Sequence, residues 1–313
     1  MEIDEKKTLR FNGFPMRVHL WGESFDNPLI VFVHGGPGNP FRHKIAEHLL
    51  PLTDSYTLVA YDQRGTGGSY RPYLKPKDIS VEAYVDDLLS LCSYLLRRFK
   101  QNNLYIIGES FGSYIASLAV LKKPSLFKAY IGYGQMVDDQ ASLLVQYEET
   151  YKSCLDEGDN EAVDILEAMG KPENGKFHTK RQMNDFLYLF YSYVIDPYQA
   201  SYQEREVDPF YQSEENSASE AEGWEKGKKL ISRAFSQAKP AKLLPKEGLL
   251  KIEIPYHVIQ GLDDLICPAL LLPEFMERVE APEKSLTLYP HCGHLPSFEN
   301  PARFMRDVRE KFH

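Results

Sequence analysis

Six short stretches of the chain are apolar or nearly so: Leu29–Val33, Leu58–Tyr61, Leu104–Ile107, Ala129–Tyr133, Tyr256–Gln260 and Leu286–Tyr289. Runs of this length read as strands buried on both faces, the pattern of a parallel sheet. Helical spacing fills several of the gaps. Val81, Tyr84, Val85, Leu88, Leu91, Cys92 and Leu95 recur at three and four residues, behind a capping Ser80 and with Glu82 in the first turn. Ser113–Leu121 has helical character, and Phe304, Val308 and Phe312 mark a closing amphipathic helix. Phe11–Trp21 alternates, as an edge strand or hairpin does.

From about Val137 to about Lys239 the alternation of strand and helix stops. This interval is rich in charge, Tyr and helix formers, with helices expected over Asp159–Met169 and Met183–Tyr193. Glu214–Gly223 is polar and is expected to be a mobile loop. Alternating β and α segments imply a mostly parallel, doubly wound sheet with helices on both faces. The expected organisation is an α/β core over residues 1–136 and 240–313, with residues 137–239 inserted as a helical cap. The chain has no internal repeat and no low-complexity tract.

Composition narrows the function classes. With 43% hydrophobic and 26% charged residues, the 313-residue chain has an ordinary globular balance. A net charge of −9 without a basic block argues against nucleic acid. No apolar run approaches the ~20 residues of a membrane helix. The charged stretch Met1–Lys7 does not read as a secretory signal, and Cys92, Cys154, Cys267 and Cys292 have no CxxC spacing. The expectation is a cytoplasmic protein with reduced thiols, a monomer or small homo-oligomer, acting on a small molecule or short peptide.

The candidate chemistry starts where Leu104-Tyr105-Ile106-Ile107 runs into Gly108-Glu109-Ser110-Phe111-Gly112. A strand, a Gly-x-Ser-x-Gly turn and a helix form a nucleophile elbow, in which side chains at the glycine positions would clash with strand and helix. A serine hydroxyl needs a base, and the base an orienting acid. Ligands of such sheets sit beyond the carboxyl ends of the strands, where two later loops offer both. Gly261-Leu262-Asp263-Asp264 supplies a carboxylate, with Asp264 favoured and Asp263 its rival. Pro290-His291-Cys292-Gly293-His294 supplies an imidazole, with His294 favoured over His291 because Gly293 permits a tight turn.

Two donors must hold the oxyanion of the tetrahedral intermediate: the Phe111 N–H and one from His34-Gly35-Gly36-Pro37-Gly38. The glycine clusters lack the spacing of a nucleotide site. His291, Cys292 and His294 lack an established metal-ligand spacing, so neither metal nor organic cofactor is expected.

Taken together, His34–Gly38, Asp62-Gln63-Arg64-Gly65-Thr66-Gly67-Gly68-Ser69, the Gly108–Gly112 elbow, Gly261–Pro268 and Gly293-His294 resemble the proline iminopeptidase-like branch of the α/β-hydrolases. The resemblance covers roughly residues 10–135 and 245–313. It implies Ser110 as nucleophile, Asp264 as acid, His294 as base, and Gly36 and Phe111 as oxyanion donors. Glu109 stands where these peptidases usually carry glycine. Their Trp-rich cap helices and amine-binding glutamates find an echo in Trp224-Glu225.

The activity implied is a serine hydrolase working through an acyl-enzyme, releasing N-terminal proline or a similar small residue. Its amine-binding carboxylates are sought among Glu109, Glu204, Glu206, Glu222 and Glu225, with Trp224 as an aromatic wall. The alternatives are an esterase, lactonase or amidase with the same three residues, and a ligand receptor that retains them.

Overall fold

The computed structural model describes residues 1–195, 208–236 and 238–312. Its strands are β1 (Ile3–Phe11), β2 (Phe14–Gly22), β3 (Leu29–Val33), β4 (Thr57–Tyr61), β5 (Leu104–Glu109), β6 (Phe127–Tyr133), β7 (Leu250–Lys251), β8 (Tyr256–Gly261), β9 (Val279–Glu280) and β10 (Lys284–Tyr289). Eight form one sheet in the order β1-β2-β4-β3-β5-β6-β8-β10, while β7 and β9 pair separately. The β1–β2 and β2–β4 pairings are antiparallel and all others in the large sheet parallel.

Period-2 alternation sends the strand residues to two cores. Val31, Val33, Leu104 and Ile106 face α2 (Val81–Phe99) and α3 (Phe111–Lys122), meeting Leu88, Leu91, Leu95 and Ile115. Ile30, Phe32, Tyr105 and Ile107 face α1 (Arg42–His48) and α11 (Pro301–Lys311), meeting Ile45, Phe304 and Val308. Helices therefore cover both faces of the sheet. The Ser80 hydroxyl caps α2 by accepting from Ala83 N at 3.1 Å.

The first hairpin is longer than the sequence pattern suggests. β1 begins at Ile3 and pairs along its whole length with β2. Of its nine residues only Ile3 is buried, because this edge strand turns one face to water. Its sequence is correspondingly polar. Asn12 and Gly13 make the turn at φ 50° and 86°, and that Asn-Gly pair was the available signal.

Between β6 and β7 lie α4 (Asp139–Glu157), α5 (Asn160–Met169), α6 (Lys180–Phe190), α7 (Asp208–Gln212) and α8 (Ala218–Phe235). Among the described residues of this interval, β pairing is confined to the isolated bridges Asp138–Lys242 and Glu173–Lys176. α6 continues into a single π-helical turn, Tyr191–Ile195. Leu143, Tyr147, Leu166, Phe177, Phe186 and Phe190 form a separate apolar cluster, against which Leu265 and Ile266 pack.

Of the stretch expected to be a mobile loop, Glu214–Ser217 form a turn ending in the cap of α8, and Ala218–Gly223 are the first turns of that helix. Ser217 and Glu220 form a capping box, and Glu220 is buried. One Glu220 oxygen meets Arg17 at 2.8 Å and Arg42 at 3.0 Å. Arg42 also holds Asp62 through two bonds of 2.8 and 3.2 Å. Glu220 therefore belongs to a buried ionic junction rather than to a solvated loop, while Glu222 of the same stretch faces outward. Beyond it, α8 lies directly on the loop after β4. A Cβ on Gly223 would sit 2.3 Å from Gly67 O, and one on Gly227 2.3 Å from Gly65 O.

Candidate active site

Ser110 stands at the junction of β5 and α3 with φ 50° and ψ −124°, a strained backbone for a residue with a side chain. Its neighbours admit no bulk. A Cβ on Gly108 would lie 2.6 Å from Ser113 Cα, and one on Gly112 2.1 Å from Val33 O. Ser110 N donates to Tyr133 O at 2.9 Å, which ties the turn to the end of β6. Ser113 Oγ donates to Ser110 O at 2.5 Å and itself accepts from Met136 N.

Asp264 is buried in the loop after β8 and is surrounded by donors. Ile266 N and Cys267 N donate to Oδ1 at 2.8 and 2.9 Å. Oδ2 receives Gln260 Nε2 at 2.5 Å and lies 2.8 Å from His294 Nδ1. That pairing assigns the proton of the neutral ring to Nδ1 and leaves the lone pair on Nε2. Glu299, from α10 (Pro296–Glu299), accepts from Gly293 N and Leu295 N at 2.6 and 2.9 Å and holds the His294 loop. Asp263 and His291 are both exposed.

These loops converge on Ser110. Gly134 follows the residue that anchors Ser110 N, and a Cβ there would come 2.7 Å from His294 Cε1. On the other side, a Cβ on Gly35 would lie 2.8 Å from Ser110 Cβ. Burial pushes the Cys267 thiol well above its ordinary range, against the opposing effect of a hydrogen bond from Ser110. Cys92 and Cys292 are likewise buried, which raises the first well above its ordinary range and the second to about 12 and leaves both protonated at neutral pH.

The two glycine-bearing motifs are locked together. Gln63 N donates to His34 Nε2 at 2.9 Å, so His34 Nδ1 carries the proton and donates to Gly35 O at 2.9 Å. Gln63 Nε2 donates to His34 O at 2.7 Å, and Thr66 Oγ1 to Gly38 O at 2.8 Å. Gly36 lies in this loop at φ 115°, a conformation suited to glycine. Phe111, the first residue of α3, buries its ring against Tyr84 and Phe235.

The other candidate substrate residues scatter. The Glu109 carboxylate is buried, receives the Tyr133 hydroxyl at 3.0 Å, and lies against Gly35 beneath the loop. Trp224 is buried against Phe210. Glu225 points outward to Lys228 and the Tyr211 hydroxyl at 2.8 and 2.9 Å, and Glu222 pairs with Lys226 at 2.5 Å. Glu204 and Glu206 lie outside the described residues. Sequence reasoning missed Gln260, Glu299 and Gly134, whose roles arise from contacts between loops distant in sequence. No described helix is long and apolar enough to cross a membrane.

Known proteins resemble this chain in sequence and in fold. The chain is 25% identical to the probable aminopeptidase YbaC of Bacillus subtilis (strain 168) over 308 residues, 95% of this chain and 93% of that protein. It is 31% identical to a proline iminopeptidase of Lactobacillus helveticus (strain DPC 4571) over 116 residues, 37% of this chain and 38% of that one. The solved structure of a proline iminopeptidase-related protein, TTHA1809 from Thermus thermophilus, is similar in fold. Its TM-score is 0.61 at 17% identity, over 98% of this chain and 96% of that chain. The family profile described as the alpha/beta hydrolase fold matches residues 28–301, and with the sheet order and elbow above, the chain belongs to the α/β-hydrolase family.

Proposed function

We propose that the chain is a serine hydrolase working through an acyl-enzyme, and that it acts as an aminopeptidase on short peptides with N-terminal proline or a similar small residue. The observation that carries this reading is the buried Asp264–His294 pair beside the strained Ser110 elbow. Ser110 Oγ attacks the substrate carbonyl while His294 Nε2 takes its proton. Asp264 keeps the ring oriented and stabilises the imidazolium. The Gly36 and Phe111 N–H groups receive the oxyanion. His294 then returns the proton to the leaving amine, the acyl-enzyme forms, and water reverses the sequence to release the acid. The aminopeptidase names of relatives support the substrate class.

One observation favours an esterase or amidase as a second reading. Glu225 and Glu222 are engaged with lysines on the outer side of α8, and Glu220 with Arg42 and Arg17, so these carboxylates are occupied by other cations. A panel of prolyl-aminoacyl amides, their N-acetylated forms and nitrophenyl esters separates the two. The aminopeptidase reading predicts turnover of the free amine at least about tenfold above the N-acetylated form, because an ammonium is recognised only when paired. Equal turnover of both, with efficient ester cleavage, overturns it in favour of the esterase.

A further inference from the structure

Gln260 ends a chain of buried contacts that begins at the nucleophile. Its side chain is fully buried at the carboxyl end of β8. The orientation of its amide is set by its neighbours. Gln135 N, which can only donate, meets Oε1 at 2.9 Å, and Cys267 O, which can only accept, meets Nε2 at 2.9 Å. Nε2 therefore presents its second hydrogen to Asp264 Oδ2 at 2.5 Å. This is the same oxygen that faces His294 Nδ1.

The far side of the chain is equally tied down. Tyr130 OH donates to Gln135 Oε1 at 2.5 Å. Gln135 Nε2 donates to Met136 O, and Met136 N to the Ser113 hydroxyl that holds Ser110 O. One hydrogen-bonded path thus runs from the carboxylate of Asp264 to the backbone of Ser110.

From this we infer that Gln260 is a positioning residue that sets how strongly Asp264 stabilises the His294 imidazolium. The inference rests on the proposed roles of Ser110, Asp264 and His294. A hydrogen bond from Nε2 draws charge from the oxygen that faces the ring. Removing it concentrates negative charge on Oδ2 and favours the protonated ring, so a higher pH is needed to free the base. It also releases the Asp264 carboxylate to rotate, which costs rate at every pH.

Other ionisable groups surround the site. Cys267 and Cys292 are kept as thiols by burial. Glu299 is bonded to two backbone N–H groups, Glu109 receives Tyr133, and Asp263 is exposed. Asp139 of α4, which acts on Cys267 through space, is pushed up by burial to about 6, so it titrates in the same range and needs its own control.

The test is the pH profile of kcat/KM for the full chain carrying Gln260→Met, which keeps the volume and removes the donor. The acid limb is expected to move up by about 0.5 to 1 pH unit, with kcat lowered more than KM is raised. Asp139→Asn added to either protein should leave that shift in place. Gln260→Asn leaves room for a water to satisfy Gln135 and guards against misfolding; it should move the limb in the same direction by less. Unshifted limbs in both folded Gln260 variants, with only a uniform loss of rate, overturn the positioning role while leaving the proposed function standing. A wild-type profile without an acid limb, or full activity in Ser110→Ala, instead removes the reading on which it rests.

Discussion

The junction of Glu220, Arg42, Asp62 and Arg17 makes a quantitative prediction. The Arg42 and Asp62 side chains are 0% exposed and that of Glu220 8%. Burial opposes ionisation of Glu220, but Arg42, the Ser217 N–H and Arg17 outweigh it and hold its carboxyl below the ordinary range. Glu220→Gln preserves shape and can keep the bonds from Ser217, but it turns an N–H₂ or a neutral oxygen toward two guanidinium groups. The charge-assisted bond from Arg42 and the ion pair with Arg17 are lost, so a loss of about 3–5 kcal/mol is expected for a buried pair broken on one side. With an unfolding entropy of about 2 cal/mol/K per residue, the melting temperature should fall by about 5–8 °C. Arg17→Met should cost only about 1 kcal/mol, because that side chain is partly exposed. Thermal unfolding followed by circular dichroism at neutral pH checks both. A change below about 1 °C for Glu220→Gln would mean that the junction contributes no net stability.

Further outcomes follow from the site and its surroundings. His294→Ala should lower kcat by about 10³-fold or more while His291→Ala retains most of the activity; steady-state rates of the two folded variants decide, and the reverse result reassigns the base. His34 is lowered to about 4 and His43 to about 3, both chiefly by burial, and the two ring nitrogens of His43 have no hydrogen-bond partner among the described residues. Because both folded values lie below the unfolded ~6.5, their contribution is intact above that pH and is lost as pH falls through the range below it, by about 2 kcal/mol for each ring at pH 5. Urea unfolding at pH 7.5 and 5 should show that loss, and His43→Phe should remove about half of it; an unchanged pH dependence would contradict the assignment. Gly112→Ala should disturb the elbow, since the added methyl would meet Val33 O at 2.1 Å; wild-type rate and stability in that variant would refute the packing argument.

The parallel strands and the three site loops were legible because each is marked locally. An apolar run ends in Gly108, in Gly261, or just before His291, and the chemistry follows within a few residues. The chain order Ser110, Asp264, His294 then restricted the choice, and the exposure of Asp263 and His291 agrees with the preference for their neighbours. What escaped was nonlocal. β1 is polar because an edge strand wets one face, and Glu220 sits in the polar stretch 214–223 because a buried Arg42 requires an acidic partner. Trp224 and Glu225 are candidates through adjacency and their echo of the family's cap, yet successive helix residues point about 100° apart, and α8 buries one and exposes the other. Gln260 carried no signal, since its importance lies in Gln135, Cys267 and Asp264 converging on one amide.

The central claim is that Ser110 becomes covalently acylated during turnover. A fluorophosphonate reagent, followed by intact mass and peptide mapping, tests it directly. One adduct per chain, on the peptide containing Ser110, formed at a rate that falls with the acid limb of the activity and absent from Ser110→Ala, is the result predicted. An adduct elsewhere, or full turnover with Ser110 unmodified, would contradict it.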